Sequence, residues 1–120
     1  MEIKVTIPYD TCLSKNQTHY NVSVRKRVRT KAYVEMLKVI DALIKKEMSR
    51  LSIAFHTRKV WVDIMIFRPN MRADPINFLD ALSDAVKGAI SIDDRYFAGS
   101  WNWVIDKQNP RIEIIISQEE

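Results

Sequence analysis

The stretch from Val60 to Phe67 constrains the fold most. Its residues, Val-Trp-Val-Asp-Ile-Met-Ile-Phe, are β-branched, aromatic or otherwise apolar apart from one aspartate, and Arg68-Pro69 ends the run. This composition is typical of a strand buried within a sheet, and we predict a central strand here. Alternation places Asp63 on an otherwise apolar face, where the carboxylate needs a partner; a rim position is favoured over a ligand role.

Periodicity predicts the elements that surround this strand. Alternation with period two indicates a first strand over residues 2–7, and apolar residues three or four apart indicate a helix over residues 31–50 with Thr30 as its N-cap. Residues 100–106 and 111–117 read as a C-terminal hairpin with a turn at 107–110. We therefore expect one α/β or α+β domain of 120 residues, with a small mixed sheet of four or five strands and two main helices.

The second helix is predicted to start at Asp74-Pro75, since aspartate is a preferred N-cap and proline is favoured at the first helical position. Apolar residues at helical spacing then predict a buried stripe that runs to Ile90. The opposite face carries polar side chains at steps of three and four, namely Asn77, Asp80, Asp84 and Lys87. Asp74, Asn77 and Asp80, with Asp84 as a further candidate, are therefore expected to surround one exposed site.

Charge is unevenly divided along the chain. Residues 1–60 hold 13 Lys or Arg and 5 Asp or Glu, whereas residues 61–120 hold 6 and 10. A basic half suggests a polyanionic partner, and an acidic half with clustered aspartates suggests a cation. Metal-assisted chemistry on a phosphodiester requires both a basic surface for the polyanion and an acidic cluster for the cation.

The remaining signals leave alternatives open. The densest basic run, residues 24–31, is either a phosphate-contacting edge or a solvated loop, and the polar loop at 9–21 is either a connector or a binding surface. Trp101 and Trp103 share one face of their strand, where packing on the sheet is favoured over stacking on nucleic-acid bases. A single cysteine and two isolated histidines argue against disulfides and zinc, and with no export signal or membrane-spanning stretch a cytoplasmic protein is expected.

Taken together, these motifs resemble the RusA family of Holliday-junction resolvases. The likeness rests on a strand ending in Arg-Pro, an Arg-x-Asp-Pro-x-Asn sequence at residues 72–77, and an Asp-Asp loop at residues 93–94. It covers most of the chain, and residues 72–94 carry its specific motif. The resemblance implies a homodimeric, magnesium-dependent endonuclease that nicks four-way or other branched DNA, with Mn²⁺ as a substitute for Mg²⁺.

The resemblance also implies the site residues. Its catalytic residues would be Asp74, Asn77 and Asp94, and its metal ligands would be Asp74 and Asp94, with Asp93 beside them. Asp80, on the same exposed face of the predicted helix, is the further candidate for both sets. Arg72 and Arg95 flank these carboxylates and either hold the scissile phosphate or form ordinary ion pairs. The complete set of predicted DNA contacts is Lys15, Arg25, Lys26, Arg27, Arg29, Arg68, Arg72 and Arg95.

Two positions depart from the family's motif, which has an aspartate where this chain has Ile76 and a lysine where it has Asp80. Asp80 then either completes a rearranged metal site or marks a member that has lost catalysis. Three carboxylates suffice for Mg²⁺ when waters and a phosphate fill the remaining positions. The alternative function is therefore a RusA-fold protein that binds DNA structures without cutting them.

Overall fold

Strand β4, Val60–Arg68, lies at the centre of the sheet, as the sequence predicts. The protein is described by a computed structural model that covers residues 1–23 and 26–120, with the backbone alone at Lys26. On one side β4 pairs in antiparallel fashion with β7, Arg111–Ser117. On the other side it pairs in parallel with β5, Phe97–Ala98, and with β6, Trp101–Ile105.

The predicted C-terminal hairpin is wrong in its pairing. Strands β6 and β7 follow one another in the chain, but β4 lies between them and pairs with both. The reason lies in burial: β4 is buried or half-buried at every position, whereas β6 is exposed at every position. Placing the more apolar strand between its two neighbours removes more apolar surface from water than pairing β6 directly with β7 would.

The two predicted helices cover one face of the sheet. Helix α1, Lys31–Arg50, has the predicted bounds, and the hydroxyl of Thr30 caps it by accepting a hydrogen bond from the Tyr33 amide at 3.2 Å. Helix α2 spans Leu79–Ile90. The first strand, β1 at Glu2–Pro8, pairs with β7 and buries every second residue against the helices. The largest fully buried side chains include Tyr33, Phe78, Ile40, Ile44, Ile66 and Leu82.

The predicted loop at residues 9–21 and the basic run contain structure that the sequence analysis missed. A 3₁₀ turn forms at Thr11–Leu13, and strands β2, His19–Ser23, and β3, Lys26–Arg29, pair as a two-stranded ribbon beside the main sheet. The loop prediction holds for residues 14–18 and is wrong for residues 19–21, which belong to β2 and pair with β3. Val28 of the ribbon is half-buried. Tyr20 and Val22, by contrast, are 53% and 56% exposed.

The described residues form an α+β fold with a five-stranded mixed sheet, two α-helices and the separate ribbon, in agreement with the predicted fold class. Residues 51–55, for which a short strand or a turn was expected, begin with a turn. Among the described residues, no helix has the length and apolar character needed to cross a bilayer.

Candidate functional site

A cleft of about 570 Å³ opens between the ribbon and the exposed face of α2. Its two walls come from opposite halves of the chain. The basic half supplies Lys15, His19 and Arg27, and the acidic half supplies Asp80, Asp84 and Asp94. The cleft therefore brings together the positive and negative groups that are separated in the sequence.

The acidic wall is formed by the first half of α2 and by the turn that follows the helix. Asp80 and Asp84 are four residues apart and lie on the same side of α2, because 3.6 residues complete a helical turn. Ser91 ends the helix in the left-handed conformation, with φ of 59°, and redirects the chain. A 3₁₀ turn at Asp94–Tyr96 then places Asp94 at the same cleft.

Asp84 is positioned by a buried tyrosine from the other half of the chain. The hydroxyl of Tyr33 donates a hydrogen bond to Oδ2 of Asp84 at 3.2 Å, and Tyr33 is only 1% exposed. Burial, followed by the nearby charge of Asp84, raises the pKa of Tyr33 to about 12. The hydroxyl therefore stays protonated at neutral pH and remains a donor that holds the carboxylate in place.

The ring of His19 forms part of the basic wall and is held from two sides. Its Nδ1 lies 2.7 Å from the hydroxyl of the buried Thr18, and its ring centroid lies 5.9 Å from that of Tyr33. A histidine held in this way keeps one ring nitrogen engaged, which fixes its orientation. Sequence analysis missed His19, because no spacing to another chemically relevant residue singled it out.

The predicted residue Asn77 supports the cleft through its backbone. Its carbonyl accepts a hydrogen bond from the Lys15 amide at 2.8 Å, which fixes the loop that carries Lys15 to the start of α2. The Asn77 amide donates to the carbonyl of Asp74 at 3.0 Å. Asn77 thus lies next to the cleft and connects its two walls.

Asp74 does not cap the helix as predicted. Pro75–Phe78 form a 3₁₀ turn, α2 begins only at Leu79, and the Asp74 side chain makes no capping hydrogen bond. The reason is local: the Asn77 amide, which a capping carboxylate would bind, is taken by the backbone carbonyl of Asp74 itself. Asp74 is exposed and lies outside the set of residues that line the cleft.

Asp93 has a local partner in the turn that follows α2. Its Oδ1 accepts a hydrogen bond from the Arg95 amide at 3.0 Å, and its Oδ2 lies 4.0 Å from Nζ of Lys87. The hydrogen bond from the Arg95 amide contributes most to holding the pKa of Asp93 below its usual value. Asp93 therefore stays ionised and caps the 3₁₀ turn that carries Asp94.

The predicted DNA-binding residues fall into three groups. Lys15 and Arg27 line the cleft, and Arg29 lies nearby with its guanidinium 5.6 Å from the Tyr33 ring centroid. Arg72 and Arg95 are exposed near the two ends of α2. Arg25 lies outside the described residues, and only the backbone of Lys26 lies within them.

Arg68 is the exception, because it is 2% exposed. Its Nε donates to the carbonyl of Asn70 at 2.9 Å and its Nη2 to the carbonyl of Ala73 at 2.7 Å. Its guanidinium also lies 4.6 Å from the ring centroid of Trp103. In this conformation Arg68 supports the loop that leads to Asp74, and it offers no surface to a phosphate.

The donor chemistry of the cleft fits magnesium. Within residues 1–23 and 26–120, no three or more His, Cys, Asp or Glu side chains are close enough together to form a preassembled metal site. Mg²⁺, however, usually keeps several waters and takes only one or two carboxylates together with substrate phosphates. Asp80, Asp84 and Asp94 supply oxygen ligands of this kind.

No protein-family model matches the chain, and no curated protein matches it in a sequence search.

Proposed function

We propose that the protein is a magnesium-dependent endodeoxyribonuclease of the RusA type that acts on four-way junctions or other branched DNA. The observation that carries the proposal is the cleft, in which three carboxylates face Lys15, His19 and Arg27. The motif resemblance at residues 72–94 supports the same reading. The proposal includes a cytoplasmic homodimer, because a two-fold junction is matched by an isologous pair with two active sites.

Each wall of the cleft has a distinct task in phosphodiester hydrolysis. One or two of the carboxylates of Asp80, Asp84 and Asp94 would hold Mg²⁺ together with a substrate phosphate, and the bound ion would activate water and neutralise charge on the phosphoryl group. Lys15 and Arg27 attract the DNA backbone and balance the charge of its phosphates. The Tyr33 hydroxyl keeps the Asp84 carboxylate in a fixed orientation, so less ordering is required when the substrate binds.

The test is magnesium-dependent nicking of a labelled four-way junction. Asp84→Asn and Asp94→Asn each keep the size of the side chain but remove its charge, and we expect either change to lower the nicking rate by at least about 100-fold. The matched control is Asp41→Asn on α1, which removes a carboxylate paired with Lys45 at 3.0 Å and outside the cleft. Nicking by Asp94→Asn at the wild-type rate would refute the site.

The alternative is a RusA-type protein that binds branched DNA without cutting it. Ile76, which occupies the position of a carboxylate in the family's motif, is 59% exposed and offers no metal ligand. This alternative predicts junction binding that weakens steeply with salt and no cleavage in Mg²⁺ or Mn²⁺. Lys15→Ala and Arg27→Ala should each reduce the salt slope by about 1. Cleavage by the wild-type protein would exclude it.

A further inference from the structure

A second, uncharged groove lies on the other flank of α2. It has a volume of about 270 Å³, runs between the helix and strands β5 and β6, and is lined mainly by apolar side chains, including Leu79, Phe97 and Trp101. Its lining contains no Asp, Glu, Lys or Arg among the described residues. Trp101 is 41% exposed, although the sequence favoured packing on the sheet for this residue.

The groove adjoins the acidic cleft, since Ser83 of α2 lines both. The two compartments differ in character: the cleft is charged, and the groove is uncharged and aromatic. A nucleotide has the same division, with a charged phosphate and a flat base. We infer that the groove binds one unstacked base of the DNA strand whose backbone occupies the cleft, with the indole of Trp101 stacking on that base. This inference rests on the proposed function.

The segment that leads into Trp101 is held firmly in place. Oδ1 of Asp63 accepts hydrogen bonds from the Ser100 amide at 2.9 Å and from the Ser100 hydroxyl at 3.1 Å. Gly99, at φ of +137°, packs directly against the backbone of Val62. These contacts give Asp63 the partner that its position requires, and they fix the backbone that leads into Trp101 before any ligand binds. Preorganisation of this kind lowers the entropic cost of binding.

Trp103 provides a matched control within the same strand. In the register with β4, Trp101 lies beside Ile64 and Trp103 beside Ile66, so both indoles point to the helix side of the sheet. Trp103 is similarly exposed, at 36%, but it lies under the guanidinium of Arg68 and does not line the groove. The inference therefore assigns base stacking to the first tryptophan and not to the second.

A second copy of the chain is the competing occupant, because β6 is an edge strand with several exposed apolar side chains. A strand added along that edge would extend the sheet and contact both tryptophans. It would lie outside the space between α2 and β6, which is where the groove runs. A planar base can enter this space, and the charged cleft beside it favours a nucleotide over an apolar protein segment.

The experiment measures binding of four-way DNA junctions to the full chain in Ca²⁺, which suppresses cleavage, with folding of each variant checked by circular dichroism. Loss of stacking on one base should make binding of Trp101→Ala about 5- to 150-fold weaker. Trp103→Ala should change binding by less than about two-fold. Trp101→Phe, which keeps a planar ring, should recover most of the affinity.

Junctions that each lack one base near the crossover identify the stacked position. At one position, the missing base should weaken binding to the wild-type protein but cause no further loss in Trp101→Ala, because both changes remove the same contact. If the loss of affinity from the missing base and the loss from Trp101→Ala were additive at every position of the junction, the inference would be overturned. Normal binding by Trp101→Ala would also overturn it, while salt-dependent junction binding and nicking would leave the proposed function intact.

Two further outcomes separate the remaining readings. Equal loss of affinity in Trp101→Ala and Trp103→Ala, together with dissociation of a dimer in sedimentation velocity, would show that a second copy covers β6 and would overturn the base-binding groove. A wild-type protein that neither binds nor cuts any junction would refute the proposed function itself, and the groove inference with it.

Discussion

Replacement of Arg68 by methionine tests the structural role that burial assigns to this residue. The change keeps an unbranched apolar side chain and removes the guanidinium, which donates to the carbonyls of Asn70 and Ala73. Hydrogen bonds from a charged group contribute about 1.5–3 kcal/mol each. Because Asn70 is exposed and its carbonyl can be rehydrated, we expect a loss near the lower end of the combined range, about 3 kcal/mol.

The assay is thermal and urea unfolding, monitored by circular dichroism. For a chain of 120 residues, the average entropy of unfolding converts 3 kcal/mol into a fall in Tm of about 12 °C. The control is Arg72→Met, four residues further along the chain and exposed to solvent, which should change stability by less than about 0.5 kcal/mol. Both variants lose one positive charge, so the difference between their stabilities reports the effect of the buried hydrogen bonds of Arg68.

The Arg68→Met variant also decides whether Arg68 supports the loop or contacts DNA. If Arg68 only supports the loop, the folded Arg68→Met protein should keep the wild-type dependence of DNA affinity on salt, whereas loss of a phosphate contact would reduce that slope by about 1. A stability loss below about 1 kcal/mol, or a reduced salt slope in the folded variant, would refute the structural assignment.

Three further predictions address other parts of the fold. Gly99→Ala should lower the free energy of unfolding by about 2–4 kcal/mol, because a Cβ at φ of +137° would overlap a backbone carbonyl of β4. Gly88→Ala, with open space around it in α2, should raise the free energy of unfolding by about 0.5–1 kcal/mol. Thermal unfolding measures both changes, and equal effects of the two variants would contradict the geometry. Burial raises the pKa of Cys12 to about 12, so the thiol should resist alkylation at about pH 8 until urea unfolds the chain; rapid labelling of the native protein would contradict this. The Asn109 amide, more than any other group, holds the pKa of Asp106 below its usual value, so this carboxylate stabilises the fold above the unfolded pKa of about 3.9 and ceases to do so as pH falls through the lower folded value. Asp106→Asn should therefore lower stability in urea at neutral pH but not at about pH 2, and a pH-independent effect would exclude the linkage.

Local patterns in the sequence predicted the elements well. Helix α1 has both predicted ends, because the Thr30 cap and the apolar spacing act within a few residues of each other. Strand β1 was predicted by alternation, β4 by its β-branched and aromatic composition, and β7 by the turn that precedes it. The ribbon was missed because two of its apolar side chains, Tyr20 and Val22, are exposed, whereas apolar spacing marks buried faces.

Pairing and the cleft depend on contacts between distant residues, and there local patterns were a weaker guide. The turn after β6 suggested a hairpin, but the competition between β4 and β7 for the neighbouring position depends on the burial of the whole sheet. Asp80 and Asp94 were predicted site residues, and the cleft contains both. Asp84 was only a further candidate, because its partner Tyr33 lies 51 residues away in sequence.

That long-range hydrogen bond explains how the uneven charge of the chain produces a single cleft. Tyr33 of α1 belongs to the basic half and Asp84 to the acidic half, so their contact joins α1 to α2, and His19 of the ribbon packs beside the Tyr33 ring at the same place. Asp80 and Asp84, one helical turn apart, repel each other, and Lys15 and Arg27 on the opposite wall offset part of that repulsion. The cleft is therefore a product of tertiary folding, whereas the motif around Asp74 mainly fixes how the chain enters the helix that carries two of its carboxylates.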